Sequence, residues 1–172
     1  MEKSKESIRI LGVDTSLRSS GVAIIEAYGS ALKSVEYDLV KNPAGRLLSE
    51  CLHRLYCAIA EIIARVQPDV AAVEGVFYCR NARTAVVLGE ARGAVIAACA
   101  SSAVPVYEYS PRRVKQSVVG FGAAGKEQVR KMVMNLLNLQ EEPPEDASDA
   151  LAIAICHAHT VTGRVEQTSK KI

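Results

Sequence analysis

The chain contains no tryptophan and only two phenylalanines, and no two of its five cysteines form a Cys-x-x-Cys pair. This pattern argues against a disulfide framework and against a zinc site, and it favours reduced thiols in the cytoplasm. The longest purely apolar runs, Ala94–Ala100 and Ala150–Cys156, are far shorter than the roughly 20 residues that a membrane-spanning helix needs. The charged first six residues do not resemble a signal peptide. We therefore expect a cytoplasmic protein that does not associate with membranes.

Length and composition are those of one globular domain. Of the 172 residues, 49% are apolar and 23% are charged, a balance that allows a substantial buried core. No internal repeat or linker divides the chain, so residues 1–160 are expected to form a single domain. Residues 161–172 are polar and lack periodicity, and we expect them to form a tail.

The charges are unevenly distributed along the chain, although the net charge is only +2. Residues 75–135 contain nine Lys or Arg and three Glu, whereas residues 136–159 contain five acidic residues and no Lys or Arg. A basic region beside an acidic helix suits a polyanion that is held against metal-binding carboxylates. From charge alone, an ordinary solvated surface is the more common explanation.

Apolar periodicity predicts an α/β fold. Five strands are predicted, at Ser7–Val13, Gly21–Glu26, Leu32–Val40, Val70–Val73 and Val104–Glu108. Helices are predicted from Pro43 to about Val66, from Asn81 to about Ser101, after Pro111, at Lys126–Leu137 and after Pro144, with a glycine-rich loop at Gly120–Gly125. Three antiparallel strands followed by alternating helix and parallel strand give a mixed five-stranded sheet with helices on both faces.

Four acidic residues occupy positions that packing does not explain. Asp14 and Glu74 each end a short apolar run, and Asp146 and Asp149 begin the apolar stretch of the last helix. If the first and fourth strands are parallel neighbours, Asp14 and Glu74 emerge at the same edge of the sheet. Asp146 and Asp149 are three residues apart, so they share one helix face. Hard oxygen ligands of this kind suit Mg²⁺ or Mn²⁺.

Three of these acids also have an ordinary structural explanation, and Glu74 is the hardest to dismiss in this way, because Gly75 follows it and no partner charge is adjacent. Asp146 is placed to cap its helix, Asp149 to interact with the helix dipole, and Asp14 to order the Thr15–Ser16 turn. Taken singly, such residues are more often structural. Together, the four favour a metal site.

The motifs that surround these acids resemble those of a known family. The stretches are ILGVD, VEGVFYCRNARTAVVLGEARG, VYEYSPRRVKQSVVGFGAAGK and DASDALAIAICHAH. In this order they resemble the RuvC family of Holliday-junction resolvases, over residues 8–159. The resemblance implies a ribonuclease H-like fold, and the four family carboxylates fall on Asp14, Glu74, Asp146 and Asp149. One departure is Thr15-Ser16, where the family usually has Pro-Gly.

The resemblance implies a structure-selective DNA endonuclease that resolves four-way junctions in recombination and repair. It would make paired symmetric nicks by phosphodiester hydrolysis with two Mg²⁺ ions per site, for which Mn²⁺ would substitute. Asp14 would be the bridging ligand. A homodimer and a branch-migration motor complex are the implied partners. The small residues Gly89, Gly93 and Ala97 form a stripe that would suit either helix pairing between two copies or close packing of the helix on its own sheet.

The resemblance also implies roles for basic and aromatic residues. Lys115 and Lys126 match family positions near the scissile phosphate, and Phe77 matches a residue that stacks on bases at the junction centre. Further phosphate contacts are expected from Arg80, Arg83, Arg112 and Arg113. A lysine on a solvated surface and a phenylalanine in the core are the ordinary alternatives. No role is assigned to His157 or His159.

Two other functions remain open at the level of sequence. One is a relative of the same fold with a different substrate, such as a YqgF-like RNA-processing nuclease. The other is a non-catalytic ATP-binding or scaffold protein, because Asp14-Thr15-Ser16 is similar to the opening hairpin of actin-like proteins. The basic segment YEYSPRRVKQSVVG favours the resolvase over the first, and the size of the chain favours it over the second, since actin-like kinases use two such domains.

Overall fold

A computed structural model of the chain describes residues 7–75, 81–163 and 170–172, and within them six strands form one mixed sheet in the order β3-β2-β1-β4-β5-β6. The strands are β1 (Ile8–Asp14), β2 (Ser19–Tyr28), β3 (Ala31–Lys41), β4 (Val70–Glu74), β5 (Val106–Tyr109) and β6 (Lys170–Lys171). The first three are antiparallel, β4 and β5 run parallel to β1, and β6 is antiparallel to β5.

Helices cover both faces of the sheet. The described residues form α1 (Leu48–Val66), α2 (Ala82–Ser101), α3 (Pro111–Val119), α4 (Lys126–Leu137) and α5 (Glu145–Val161). One apolar core lies between the sheet and α3, α4 and α5, and the other lies between the sheet and α1 and α2. Ile10 of β1 belongs to the first core, and Leu11 and Val13 belong to the second. Because both faces of the strand are covered, β1 is an apolar run rather than an alternating one.

The predicted fold is confirmed, with two differences in its elements. The sheet has a sixth strand, because Lys170 and Lys171, in the predicted tail, pair with Glu108 and Tyr107. Helix α1 begins at Leu48 instead of Pro43, because the Glu50 side chain accepts a hydrogen bond from the Leu47 N–H at 3.1 Å and fixes the start of the helix there.

Helix α2 is apolar around most of its circumference. Among the described residues it is the helix that is long and apolar enough, by length and composition, to cross a membrane. Arg92, in the middle of α2, forms an ion pair with Glu108 of β5. If α2 crossed a membrane, this pair would lie near the centre of the bilayer, where charged groups are costly. Ala91 and Val95 are buried, whereas Val86 is 58% exposed. Apart from the backbone of α2 itself, no heavy atom of the described residues lies within 4 Å of a Cβ built at Gly89 or Gly93, so this stripe of small residues does not pack on the described sheet.

Helix α5 lies directly on the backbone of the first two strands. A Cβ atom at Gly12 of β1 would overlap the carbonyl oxygen of Ala150, and one at Gly21 of β2 would overlap that of Asp146. Gly21 is also the register partner of Asp14 across the antiparallel pair. Two glycines without side chains therefore let the start of α5 approach the end of β1.

Replacing Gly21 with alanine is expected to push the first turn of α5 away from β2 and to lower the free energy of unfolding by about 1–3 kcal/mol. Gly89→Ala is the matched control, because apart from the neighbouring backbone of α2 no described heavy atom lies within 4 Å of a Cβ at that position. The control should instead stabilise the protein by about 0.5–1 kcal/mol. Urea unfolding measures both effects. A Gly21→Ala protein as stable as wild type would contradict the close approach.

Candidate active site

Three carboxylates from three elements line one cavity of about 330 Å³. Asp14 ends β1 and Glu74 ends β4, and these strands are parallel neighbours in which Val13 pairs with Val73. Asp149 reaches the same cavity from the second turn of α5. The carboxyl ends of parallel strands are where open α/β sheets place their sites, and here a helix start adds a further acid.

The pKa values of these carboxylates are all raised, by burial and by the charges of the neighbouring carboxylates. Burial, followed by the charges of Asp149, Glu74 and Asp146, raises the pKa of Asp14 to about 7. Burial and the charge of Asp149 raise the pKa of Glu74. Burial also raises the pKa of Asp149, although Lys126 partly opposes the shift. Among the described residues, the cavity thus holds more negative charge than the neighbouring lysines neutralise.

Two lysines flank the carboxylates. Lys115 of α3 and Lys126 of α4 both line the cavity. The Lys126 ammonium donates to Glu145 at 2.5 Å and lies 3.9 Å from Asp149. This hydrogen bond to Glu145 is the main reason why the pKa of Lys126 is raised. Both cations are therefore within reach of a phosphate that enters the cavity.

Asp146 lies beside the cavity rather than in it. Its carboxylate accepts a hydrogen bond from the Ser19 hydroxyl of β2. The N-cap of α5 is Pro144, and no side chain of the described residues caps this helix start, so Asp146 does not play the capping role that the sequence left open. Its negative charge still raises the pKa of Asp14 and of Asp149. The structure thus brings three of the four predicted acids together and places the fourth next to them.

The donor atoms suit a hard divalent cation, although they are not gathered into a finished coordination sphere. Within residues 7–75, 81–163 and 170–172, no three His, Cys, Asp or Glu side chains are arranged to hold a metal ion. The cavity nevertheless offers carboxylate oxygens with an excess of negative charge, which is what Mg²⁺ or Mn²⁺ would offset.

The turn after Asp14 is held by two polar residues that sequence reasoning missed. Ser20, which is fully buried, accepts from the Ser16 N–H at 3.0 Å and donates to the Ser16 carbonyl at 2.5 Å. The Asn42 side chain donates to the Leu17 carbonyl at 2.8 Å. The Thr15-Ser16 sequence therefore forms a fixed turn without Pro-Gly. Ser20, a polar residue in the otherwise apolar strand β2, is the sequence feature that could have indicated this role.

The predicted DNA contacts fall in different places. Phe77 and Arg80 lie outside the described residues. Arg83 is exposed in the first turn of α2, and Arg112 is exposed in the first turn of α3. Arg113 is half-buried. Burial of the Cys156 thiol raises its pKa to about 11, and the positive charge of Arg113 partly opposes this rise. Arg113 therefore lies toward α5.

His157 and His159 belong to the core. The Tyr109 hydroxyl and His157 Nδ1 are 2.7 Å apart, and burial lowers the pKa of His157 to about 4. His159 donates from Nδ1 to the Ser117 carbonyl at 2.8 Å. Both side chains are satisfied inside the protein, and neither lines the carboxylate cavity.

Comparisons with known proteins agree on one family. A family model described as crossover junction endodeoxyribonuclease RuvC matches residues 10–157. The protein of that name from Moorella thermoacetica is 45% identical over 150 residues, which are 87% of this chain and 90% of that protein. The one from Desulfitobacterium hafniense is 48% identical over 153 residues, covering 88% of this chain and 93% of the other.

Solved structures show the same likeness. The structure of Thermus thermophilus RuvC in complex with a Holliday junction substrate matches with a TM-score of 0.90 and 33% identity, covering 96% of this chain and 99% of that chain. The yeast mitochondrial Holliday junction resolvase Ydc2 matches with a TM-score of 0.63 at 12% identity, covering 91% of this chain and 82% of that chain, and this match shows the fold alone.

Without metal, the raised pKa of Asp14 predicts a pH-dependent stability. Its pKa is about 7 in the folded protein, against an ordinary value of 3.8, so the folded state holds a proton that the unfolded chain has released. Asp14 therefore does not lower the free energy of unfolding below about pH 4, where it is protonated in both states. Its effect grows as the pH rises, and the full loss of stability is reached once the pH has passed 7. Asp14→Asn should therefore stabilise the protein in EDTA at pH 8 by about 1–4 kcal/mol, and much less at pH 5.

Urea unfolding at the two pH values measures this difference. Glu141→Gln removes an exposed carboxylate outside the cavity and should show no such gain at pH 8. A gain for Asp14→Asn that is larger at pH 5 than at pH 8 would contradict the assignment.

Proposed function

Because the chain belongs to the RuvC family of crossover junction endodeoxyribonucleases, we propose that it is a structure-selective DNA endonuclease that resolves four-way junctions. The reaction would be phosphodiester hydrolysis by paired symmetric nicks in recombination and repair. The observation that carries the proposal is the cavity in which Asp14, Glu74 and Asp149 face Lys115 and Lys126. Family membership over nearly the whole chain supports the junction as the substrate.

Asp14, Glu74 and Asp149 would hold two Mg²⁺ ions, and Mn²⁺ would substitute for them. Asp146 would join the set by exchanging its hydrogen bond from Ser19 for a metal contact. Such ions supply Lewis-acid stabilisation of the charge that develops at the scissile phosphate and the leaving 3′ oxygen. The support is the chemistry of the donors and the unneutralised charge of the cavity.

The protein's own cations would bind and orient the phosphate. Lys115 would contact a non-bridging oxygen from the α3 side of the cavity. Lys126 would give up its exposed ion pair with Glu145, a pair that contributes little stability, and would turn toward the phosphate. Arg83, Arg112 and Arg113, with Arg80 and Phe77 outside the described residues, are proposed to bind the arms and centre of the junction.

A homodimer would supply the two sites that paired nicking needs. Two strands of like polarity are cut symmetrically only if two identical sites are related by a twofold axis. The uncovered apolar face of α2 at Val86, Gly89 and Gly93 supports an interface there, since small residues allow two helices to approach closely. A branch-migration motor complex in the cytoplasm is proposed as a further partner from family resemblance alone.

Asp149→Asn is expected to reduce cleavage of a four-way junction by at least about 1,000-fold, because it removes a proposed metal ligand without changing the side-chain volume. Junction binding in Ca²⁺ should stay within a fewfold of wild type. The test is a nicking assay on a synthetic junction with Mg²⁺, beside duplex DNA and an RNA–DNA hybrid.

Glu142→Gln is the matched control for this substitution. Glu142 lies just before α5 and pairs with Arg130 at 2.6 Å, outside the cavity, so cleavage should be unchanged. Normal cleavage by Asp149→Asn would refute the assignment of the site. Selective cutting of the hybrid by wild type would favour an RNA-processing role instead.

Val86→Glu is expected to convert the proposed dimer to a monomer at micromolar concentration, because it places a charge on the apolar face of α2. Val35→Glu is the matched control, since Val35 is 43% exposed on the edge strand β3 and Val86 is 58% exposed. Sedimentation velocity distinguishes the two states. A wild-type protein that sediments as a monomer would exclude the dimer, and a dimeric Val86→Glu protein would exclude this interface.

A further inference from the structure

A second cavity adjoins the carboxylate cavity. It has a volume of about 580 Å³ and lies between Arg112, Lys115 and Gln116 of α3 and the loop residues 120–123. Lys115 lines both cavities. A ligand in the second cavity therefore lies one side chain away from the proposed reaction centre.

Phe121 is the aromatic residue of this loop, and its side chain remains in solvent. It is 63% exposed, in a chain that has only two phenylalanines and no tryptophan. The backbone around it is fixed: Gly120 ends α3 in a left-handed conformation, and the Ala124 N–H donates to the Phe121 carbonyl at 3.3 Å. Ala124 is itself 3% exposed and anchors the loop. The ring is thus held outward by an ordered turn, where a flat ligand can pack on it.

A cationic side chain lies against the loop that carries the ring. The loop backbone at Gly122 lies against the Arg112 side chain, since a Cβ there would come within 2.7 Å of Arg112 Cγ. Arg112 and Lys115 offer positive charge on one wall, and the exposed Gln116 offers an amide that both donates and accepts. An aromatic face with cations and an amide is the combination that proteins use to bind a nucleotide of a single strand.

We propose that the second cavity binds one unstacked nucleotide next to the scissile phosphate, with its base stacked on Phe121 and its phosphates on Arg112 and Lys115. The proposal rests on the proposed function, because it takes the DNA strand to be the occupant. Phe121 does not reach the reacting phosphate in this arrangement. It positions the strand, and it favours junction sequences whose base at that step leaves the helical stack most readily.

Photocrosslinking tests the contact directly and does not require cleavage. 5-Iodouracil is placed singly at three positions on each side of the scissile phosphate, and the wild-type complex is irradiated in Ca²⁺. Trypsin then releases Gln116–Lys126, a peptide in which Phe121 is the single aromatic residue. We expect the crosslinked nucleotide on this peptide from at least one position, and its loss in Phe121→Leu. Absence of this crosslink from all six positions, in a saturated complex, would overturn the proposal.

Single-turnover cleavage tests whether the contact matters. Phe121→Ala should cut at about one fifth to one hundredth of the wild-type rate, and Phe121→Tyr, which keeps the stacking face, at near the wild-type rate. Tyr28→Ala is the control, because Tyr28 is 45% exposed at the far end of β2 and should have no effect. Equal rates for Phe121→Ala and wild type would overturn the positioning role.

The two proposals fail in distinguishable ways. A wild-type protein that does not cut junctions, but still crosslinks through Gln116–Lys126, refutes the proposed activity and supports the nucleotide site. A wild-type protein that cuts junctions without this crosslink refutes the nucleotide site alone. If Phe121→Ala instead changes the sedimentation of the free protein, the ring is a contact between copies of the chain, and the nucleotide site is wrong.

Discussion

The close contact between helix α5 and the first two strands determines where the carboxylates of the cavity lie. Gly12 and Gly21 leave no side chain between the sheet and the helix backbone, and Gly21 is paired with Asp14. As a result, an acidic helix start lies beside the end of β1, and Asp149 faces the same cavity as Asp14. A side chain at either glycine would overlap the backbone of α5 and push the helix away from the strands that carry Asp14.

This arrangement is unfavourable for the protein by itself. Three half-buried carboxylates with raised pKa values repel one another, and Lys126 compensates for only part of their charge. Folding tolerates such a cluster because the two apolar cores stabilise the sheet on both of its faces. Perturbed groups of this kind collect at functional sites, where a bound cation or a substrate completes the electrostatics.

Strands and helices were predictable from the sequence where the apolar pattern of a segment matches the faces that the folded protein buries. The apolar run of β1 and the periodicity of α1 gave the right element types, and the strand-end positions of Asp14 and Glu74 predicted that they meet. The orientation of Asp146 was not predictable, because it depends on Ser19, 127 residues away in sequence. The same holds for β6, whose two lysines carry no strand signal and pair only because the edge of β5 is available. Contacts between residues that are far apart in the sequence decide such details.

We propose that Asp14, Glu74 and Asp149 form one metal-binding unit in the cavity that they share. Anomalous diffraction from crystals soaked in Mn²⁺ tests it most directly. We expect anomalous peaks within about 2.1 to 2.3 Å of oxygens from all three carboxylates, and the loss of at least one peak in Asp149→Asn. Manganese bound elsewhere on the protein, with this cavity empty at saturating concentration, would contradict it.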